Sequence, residues 1–203
     1  ESECKGCPKG KWSSDVGVKK ESACINCGTG KYGVNEVGAD GLESCKDCSA
    51  GNYLEMVGAV GTDSCLACPS GFAQKKQGQA FCLPCTPGSY AIEEGLSTCE
   101  PCAVGRASSN VSRGSRCDVC KAGRHQPETG MTACLNCVPG KYAAVEASAK
   151  CSKCPRGWLQ QLSEQADCSR PKAGSIVGNG ASTEVTIAEG WHASNWTADG
   201  CLK

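Results

Sequence analysis

Apolar side chains are thinly spread along this chain. They stand singly or in pairs between clusters of Gly, Pro, Ser, Asn and Asp, and no stretch keeps the 3.6-residue period of an amphipathic helix. The pattern predicts short two-stranded ribbons and irregular loops, with little helix. The clearest alternation comes late, over Thr183 to Ile187, where Val185 and Ile187 alternate with polar residues and predict a strand; Gly178-Asn179-Gly180 just before it reads as a turn. No apolar run approaches the roughly 18 residues that a membrane span needs.

What organises the chain is a repeat. Nine Cys-x-x-Cys pairs occur: Cys4/Cys7, Cys24/Cys27, Cys45/Cys48, Cys65/Cys68, Cys82/Cys85, Cys99/Cys102, Cys117/Cys120, Cys134/Cys137 and Cys151/Cys154, with a single Cys168 arriving on schedule. Their starts are 20, 21, 20, 17, 17, 18, 17, 17 and 17 residues apart. Three residues after the second cysteine there is Gly in all nine copies, from Gly10 to Gly157. A glycine so placed points to a positive φ, or to a backbone approach too close for a Cβ. Two residues further on stands Trp12, Tyr32, Tyr53, Tyr90 or Tyr142, while Phe72 and Trp158 stand one position earlier. These flat side chains are expected to lie on a neighbouring disulfide or glycine. Gly41, Gly61, Gly78, Gly95 and Gly130, each four residues before the next cysteine, mark turns back toward it. Units that touch mainly their neighbours predict an elongated ladder without a large hydrophobic core.

Composition sharpens this picture. The 203 residues include 20 Cys but only 28 Leu, Ile, Val and Phe together, too few for an ordinary core. Covalent staples must replace it, which points to an oxidising compartment and to a secreted or cell-surface protein. Lys plus Arg equals Asp plus Glu at 21 each, and the basic doublets Lys19-Lys20 and Lys75-Lys76 are far too small for a nucleic-acid footprint.

The pattern C-x-x-C-[PSTVKG]-x-G-x-[YW], with 13 to 17 residues between bridging cysteines, resembles the ephrin-receptor-like cysteine-rich repeat, a relative of the first module of tumour-necrosis-factor-receptor domains. The segment CTPGSYAIEEGLSTCEPC (85 to 102) carries it closely, and the resemblance covers residues 4 to 168. Such repeats imply an extracellular, disulfide-stapled fold. They occur in signalling receptors, adhesion proteins and large extracellular proteins of algae and protists.

Two connectivities fit the cysteines. In one, each second cysteine bonds forward: Cys7–Cys24, Cys27–Cys45, Cys48–Cys65, Cys68–Cys82, Cys85–Cys99, Cys102–Cys117, Cys120–Cys134, Cys137–Cys151 and Cys154–Cys168, leaving Cys4 and Cys201. In the other, repeats interlock in twos, as Cys4–Cys24 with Cys7–Cys27, and all 20 cysteines are used. The one-repeat period and the solitary Cys168 favour the first, and the receptor resemblance implies the same pairing. Cys4 and Cys201, left at the two ends, suggest a piece of a longer protein or end-to-end covalent linkage between subunits.

The chemical alternatives are weaker. Pairs of Cys-x-x-Cys at this spacing can hold zinc, but nine pairs do not divide into four-cysteine sites, Cys168 would have no role, and neither His125 nor His192 falls on a ligand schedule. A thioredoxin-like redox motif needs one such pair at a helix start, not nine in tandem. His125 takes the slot that Tyr or Trp holds elsewhere and reads as a substitute stacking residue. Glu93-Glu94 reads as a solvated turn. No catalytic residue, cofactor or metal is expected, and the chain is not expected to be an enzyme. Asn110-Val111-Ser112 and Asn195-Trp196-Thr197 fit the N-glycosylation pattern and make Asn110 and Asn195 candidate glycan acceptors.

Domain organisation follows: residues 1–170 are tandem cysteine-rich repeats, and residues 171–203 a Gly-, Thr- and Trp-containing β-rich tail or the start of a further domain. The expected function is a stiff extracellular structural rod, a subunit or segment of a cell-surface or flagellar filament (mastigoneme-like), or a spacer. Its expected partners are copies of itself or other matrix and surface proteins, not nucleic acid. The alternative is a ligand-binding receptor or adhesion ectodomain, for which Arg106, Arg113, Arg116 and Arg124 are the candidate contact residues.

Overall fold

The computed structural model describes residues 6–15, 21–34 and 44–171, together with the backbone of strand residues 175–177, 185–187, 196–197 and 200–201. The chain divides into two units, one of residues 1–100 and 110–116, the other of residues 101–109 and 117–203. In the first, β1 (Lys11–Trp12) pairs with β2 (Ile25–Asn26), β3 (Lys31–Gly33) with β4 (Cys45–Asp47), β5 (Asn52–Tyr53) with β6 (Leu66–Ala67), and β7 (Phe72–Ala73) with β8 (Leu83–Pro84), all antiparallel. β9 (Ser89–Tyr90) and β10 (Glu100–Pro101) follow in the chain. In the second unit β11 (Arg106–Ala107) pairs with β12 (Asp118–Val119), β13 (Arg124–His125) with β14 (Leu135–Asn136), and β15 (Lys141–Tyr142) with β16 (Ser152–Lys153). Two more ribbons lie in the tail, β17 (Ser175–Val177) with β18 (Val185–Ile187) and β19 (Trp196–Thr197) with β20 (Gly200–Cys201). The strand expected over Thr183 to Ile187 is thus present at Val185–Ile187, while Thr183, Glu184 and the turn at Gly178-Asn179-Gly180 lie outside the described residues.

Each ribbon of the array has one recipe. Its first strand follows the repeat glycine, and its second includes the two residues inside the next Cys-x-x-Cys. The strands are short because the chain must turn at once on either side. The turn is a four-residue one: Asn52 N–H donates to Ser49 O at 3.0 Å, and Arg124 N–H to Lys121 O at 3.0 Å. Its third residue is Gly51 or Gly123, with φ of +83° and +85°. The third position of a type II turn takes φ near +80°, a region that L side chains resist.

Disulfides join Cys7–Cys24, Cys27–Cys45, Cys48–Cys65, Cys68–Cys82 and Cys85–Cys99 in the first unit. In the second they join Cys102–Cys117, Cys120–Cys134, Cys137–Cys151 and Cys154–Cys168. The loops they close are 14 to 18 residues apart in sequence, and a loop of that size contributes roughly 3 kcal/mol by restricting the unfolded chain. The sulfurs also form the core. Cys27, Cys48, Cys68, Cys85, Cys102, Cys120 and Cys137 are fully buried. A small apolar cluster of Cys48, Leu54 and Ala59, covered by Tyr32 and Cys65, is the nearest thing to an ordinary core.

Backbone hydrogen bonds then tie repeat to repeat. In the first unit Gly30 O accepts from Cys48 N–H, Gly51 O from Cys68 N–H, and Gly71 O from Cys85 N–H; in the second, Gly105 O accepts from Cys120 N–H and Gly123 O from Cys137 N–H, all at 2.8–2.9 Å. From Cys27 to Cys137, the carbonyl of the second cysteine accepts from a turn in the following loop, as Cys48 O from Gly78 N–H, Cys68 O from Gly95 N–H, Cys120 O from Ala147 N–H and Cys137 O from Glu164 N–H. That turn residue is left-handed throughout, whether glycine (Gly78, Gly95, Gly130) or not (Ser112, Ala147, Glu164, with φ of 53°, 56° and 60°). In the longer loop between Cys48 and Cys65 the role passes to Gly58, and Gly61 instead precedes a short 3-10 turn, Thr62–Ser64. A similar turn, Glu21–Ala23, precedes Cys24. These turns absorb the extra residues of the long repeats.

One more position closes each loop. Six residues after the second cysteine the side chain is buried: Leu54, Ala91, Ala143, or Gln74, Gln126 and Gln160. The glutamines use both ends of the amide. Gln126 Nε2 donates to Ala133 O at 2.7 Å and its Oε1 accepts from Glu128 N–H at 3.1 Å; Gln74 and Gln160 repeat the arrangement with Phe81 and Lys76, and with Asp167 and Leu162.

Three substitutions check this construction. A Cβ at Gly51 would lie inside the envelope of the Gly95 carbonyl oxygen, so Gly51→Ala should cost about 3 kcal/mol in denaturant unfolding with the bridges intact. Gly28→Ala, where a Cβ meets nothing within 4 Å, should change stability by less than about 0.5 kcal/mol. Gln126→Ala leaves a carbonyl and an N–H of its loop unpaired and should cost about 1–3 kcal/mol in the same measurement.

Candidate functional site

At two repeats the aromatic slot packs beside a bridge cysteine. Tyr32, five residues after Cys27, lies against the cluster that contains Cys48 and Cys65. His125, five residues after Cys120, stands in the same relation to Cys137–Cys151. It sits on β13 opposite Leu135, half-buried, because the glycine turn at Gly123 and the buried Gln126 fix the strand between them. Its Nδ1 is 3.1 Å from Cys151 Sγ, and the ring nitrogen and both sulfurs lie within 4.8 Å of one another. One imidazole and two sulfurs would suit a soft cation if the sulfurs were thiolates, but here they are bonded to each other. The same holds along the array: with the cysteines from Cys7 to Cys168 paired as disulfides, none of them offers the thiolate that a zinc site requires.

The four arginines are divided between the two units. Arg113 and Arg116 belong to the first unit, Arg106 and Arg124 to the second. Three of them hold parts of their own chain: Arg106 Nη1 donates to Cys117 O at 2.8 Å, Arg113 Nε to Arg116 O at 2.9 Å, and Arg124 Nε to Glu164. In the second unit, Arg124 and Glu164 line an open cavity of about 440 Å³ together with Asp118 and Lys121. Two positive and two negative groups cancel there, so the cavity offers little net field for a charged ligand. The Arg124–Glu164 pair is exposed. The hydrogen bond from Arg124 holds the Glu164 carboxyl below its usual range; desolvation opposes this and the guanidinium charge adds to it, while the same partner raises Arg124.

Of the other expected residues, Asn110 is exposed, as are Glu93 and Glu94. Asn195, His192 and Cys4 lie outside the described residues, and of Cys201 only the backbone, on β20, is described. Among the exposed apolar residues, four recur at one repeat position, just after the first cysteine: Ile25, Leu66 and Leu83 in the first unit and Leu135 in the second, each half exposed or more. The buried glutamines are the functional positions that sequence reading overlooks. Their signal was a polar residue six places after the second cysteine, at 74, 126 and 160, in phase with the bridges.

Comparison with known families bears on this geometry. Residues 36–79 match the family model described as tyrosine-protein kinase ephrin type A/B receptor-like. This chain is a cysteine-rich repeat array. The match and the bridges together mark it as a disulfide-rich module of extracellular type. The array has no match among curated proteins. Among its described residues no helix is long and apolar enough to cross a membrane.

The ion pair gives the array an acid dependence of definite sign. Glu164's folded pKa lies below its unfolded one, so its contribution is present above the unfolded carboxylate range and is lost as pH falls through the folded value. In melting curves across pH, wild type should exceed Glu164→Gln by a small margin at neutral pH. The margin should vanish in acid and shrink in high salt.

Proposed function

We propose that this chain is a non-enzymatic structural segment of an extracellular assembly: a disulfide-stapled spacer, or a subunit of a cell-surface or flagellar filament. The observation that carries this is how the backbone of the repeats is used. Turn glycines, cysteine N–H groups and loop carbonyls are spent on the neighbouring repeats, and the bridged loops stay between 14 and 18 residues in span. No repeat grows an insertion of the kind that builds a dedicated binding loop. The exposed residues Ile25, Leu66, Leu83 and Leu135, repeated at one position, offer apolar contacts for copies of the chain or for other matrix proteins.

The second reading is a ligand-binding receptor or adhesion ectodomain. The ephrin-receptor-like match favours it. Against it, Arg106, Arg113 and Arg124 are engaged by groups of their own chain. Asn110 is proposed as a glycan acceptor on its exposed loop.

Electron microscopy of native source material, with antibody labelling of the array, separates the readings. Label recurring at regular intervals along fibres is the expected result, and isolated monomers would overturn the filament reading. The same material treated with a peptide N-glycosidase should show deamidation at Asn110.

A further inference from the structure

Several bridges of the array share one steric plan. The second cysteine of one pair is fully buried and the first of the next is half-buried, as with Cys48 and Cys65 or Cys137 and Cys151. Access for a small reagent therefore does not tell these bridges apart. The side chain that covers them does. Tyr32 packs against the apolar cluster of Cys48, Leu54 and Ala59 on which Cys65 also packs, whereas Cys137–Cys151 lies beside the imidazole of His125, with Nδ1 3.1 Å from Cys151 Sγ. A phenol ring supplies apolar cover. An imidazole supplies a proton near neutral pH and, when protonated, a charge that favours a thiolate beside it.

We propose that Cys137–Cys151 is a thiol–disulfide exchange site, the bridge that a low-molecular-weight thiol opens first and modifies. The incoming thiolate attacks Cys151 Sγ, the accessible half of the bridge. A new S–S bond forms there as the Cys137–Cys151 bond breaks, and the bonding pair leaves on Cys137 Sγ. His125, within 4.8 Å of both sulfurs, stabilises that thiolate and donates a proton to it, leaving a Cys137 thiol and a mixed disulfide on Cys151. A second thiol then attacks the small molecule's sulfur in the mixed disulfide and releases Cys151 as a thiolate beside Nδ1. Two small thiols have become one small disulfide, and the protein bridge has gained two electrons and two protons. The loop that opens carries Ala147, whose N–H holds Cys120 O at 2.8 Å, so the exchange loosens the tie to the preceding repeat.

The test exposes the intact, oxidised chain to reduced glutathione at neutral pH. Aliquots are quenched with an alkylating reagent and every cysteine is mapped by mass spectrometry. Cys137–Cys151 should open on the order of tenfold faster than Cys48–Cys65, with glutathione on Cys151 and the alkyl group on Cys137. His125→Tyr, which restores the residue used in other repeats, should remove the preference. Tyr32→His should confer it on Cys48–Cys65, a gain that misfolding of the first variant cannot mimic. Equal rates at the two bridges, another bridge opening first, or a preference that survives His125→Tyr would each overturn the proposal. So would glutathione found on Cys137, or Tyr32→His leaving Cys48–Cys65 as slow as before.

Discussion

The absence of a side chain on the glycine of each turn is the constraint on which the array depends. That glycine holds the left-handed position of its turn, and where a later loop follows, the space a Cβ would fill is taken by one of its carbonyls: Gly95 against Gly51 in the first unit, Glu164 against Gly123 in the second. The glycine's own carbonyl receives the N–H of the next buried cysteine. One residue therefore sets the chain direction, admits a loop from further along and anchors the following pair. A side chain there would conflict with all three at once, whereas a changed surface residue between repeats conflicts with nothing.

Disulfides and backbone hydrogen bonds divide the task of a missing core. The bridges restrict the unfolded chain, and their buried sulfurs fill the little interior there is. The hydrogen bonds decide how one repeat sits on the next. Where an apolar residue fits the loop, Leu54 or Ala91 is buried; where the loop has spare polar groups, Gln74, Gln126 or Gln160 bonds to both sides of it. A loop can be closed by burial or by a satisfied amide, which is why the repeats tolerate such different sequences at one position. The same tolerance lets a histidine replace a tyrosine over a bridge, and with it brings proton chemistry to an otherwise inert slot.

Much of this was legible from residue spacing, because the period is short and the governing residues are chemically distinctive. Cysteine and glycine announce themselves. The positive φ at Gly51 and Gly123, the two-residue strands and the aromatic cover at Tyr32 all follow from positions counted from the second cysteine. The buried glutamines escaped notice because a lone Gln looks like a surface residue until its two amide partners, set by the curve of the loop, are known. The arginines' partners were hidden for a similar reason: Cys117 O for Arg106 and Glu164 for Arg124 are brought to them only by the folded loops.

By itself the sequence determined the repeat, the turn at each glycine and the dependence on bridges in place of a core, since each rests on local geometry and composition. Only the tertiary structure decided which carbonyl meets which glycine, that Gly58 rather than Gly61 takes the capping turn in the long loop, and that His125 stands 3.1 Å from Cys151 Sγ. Those contacts join residues from different repeats. Their partners are fixed by how one ribbon stacks on the next, a relation that no spacing within a single repeat contains.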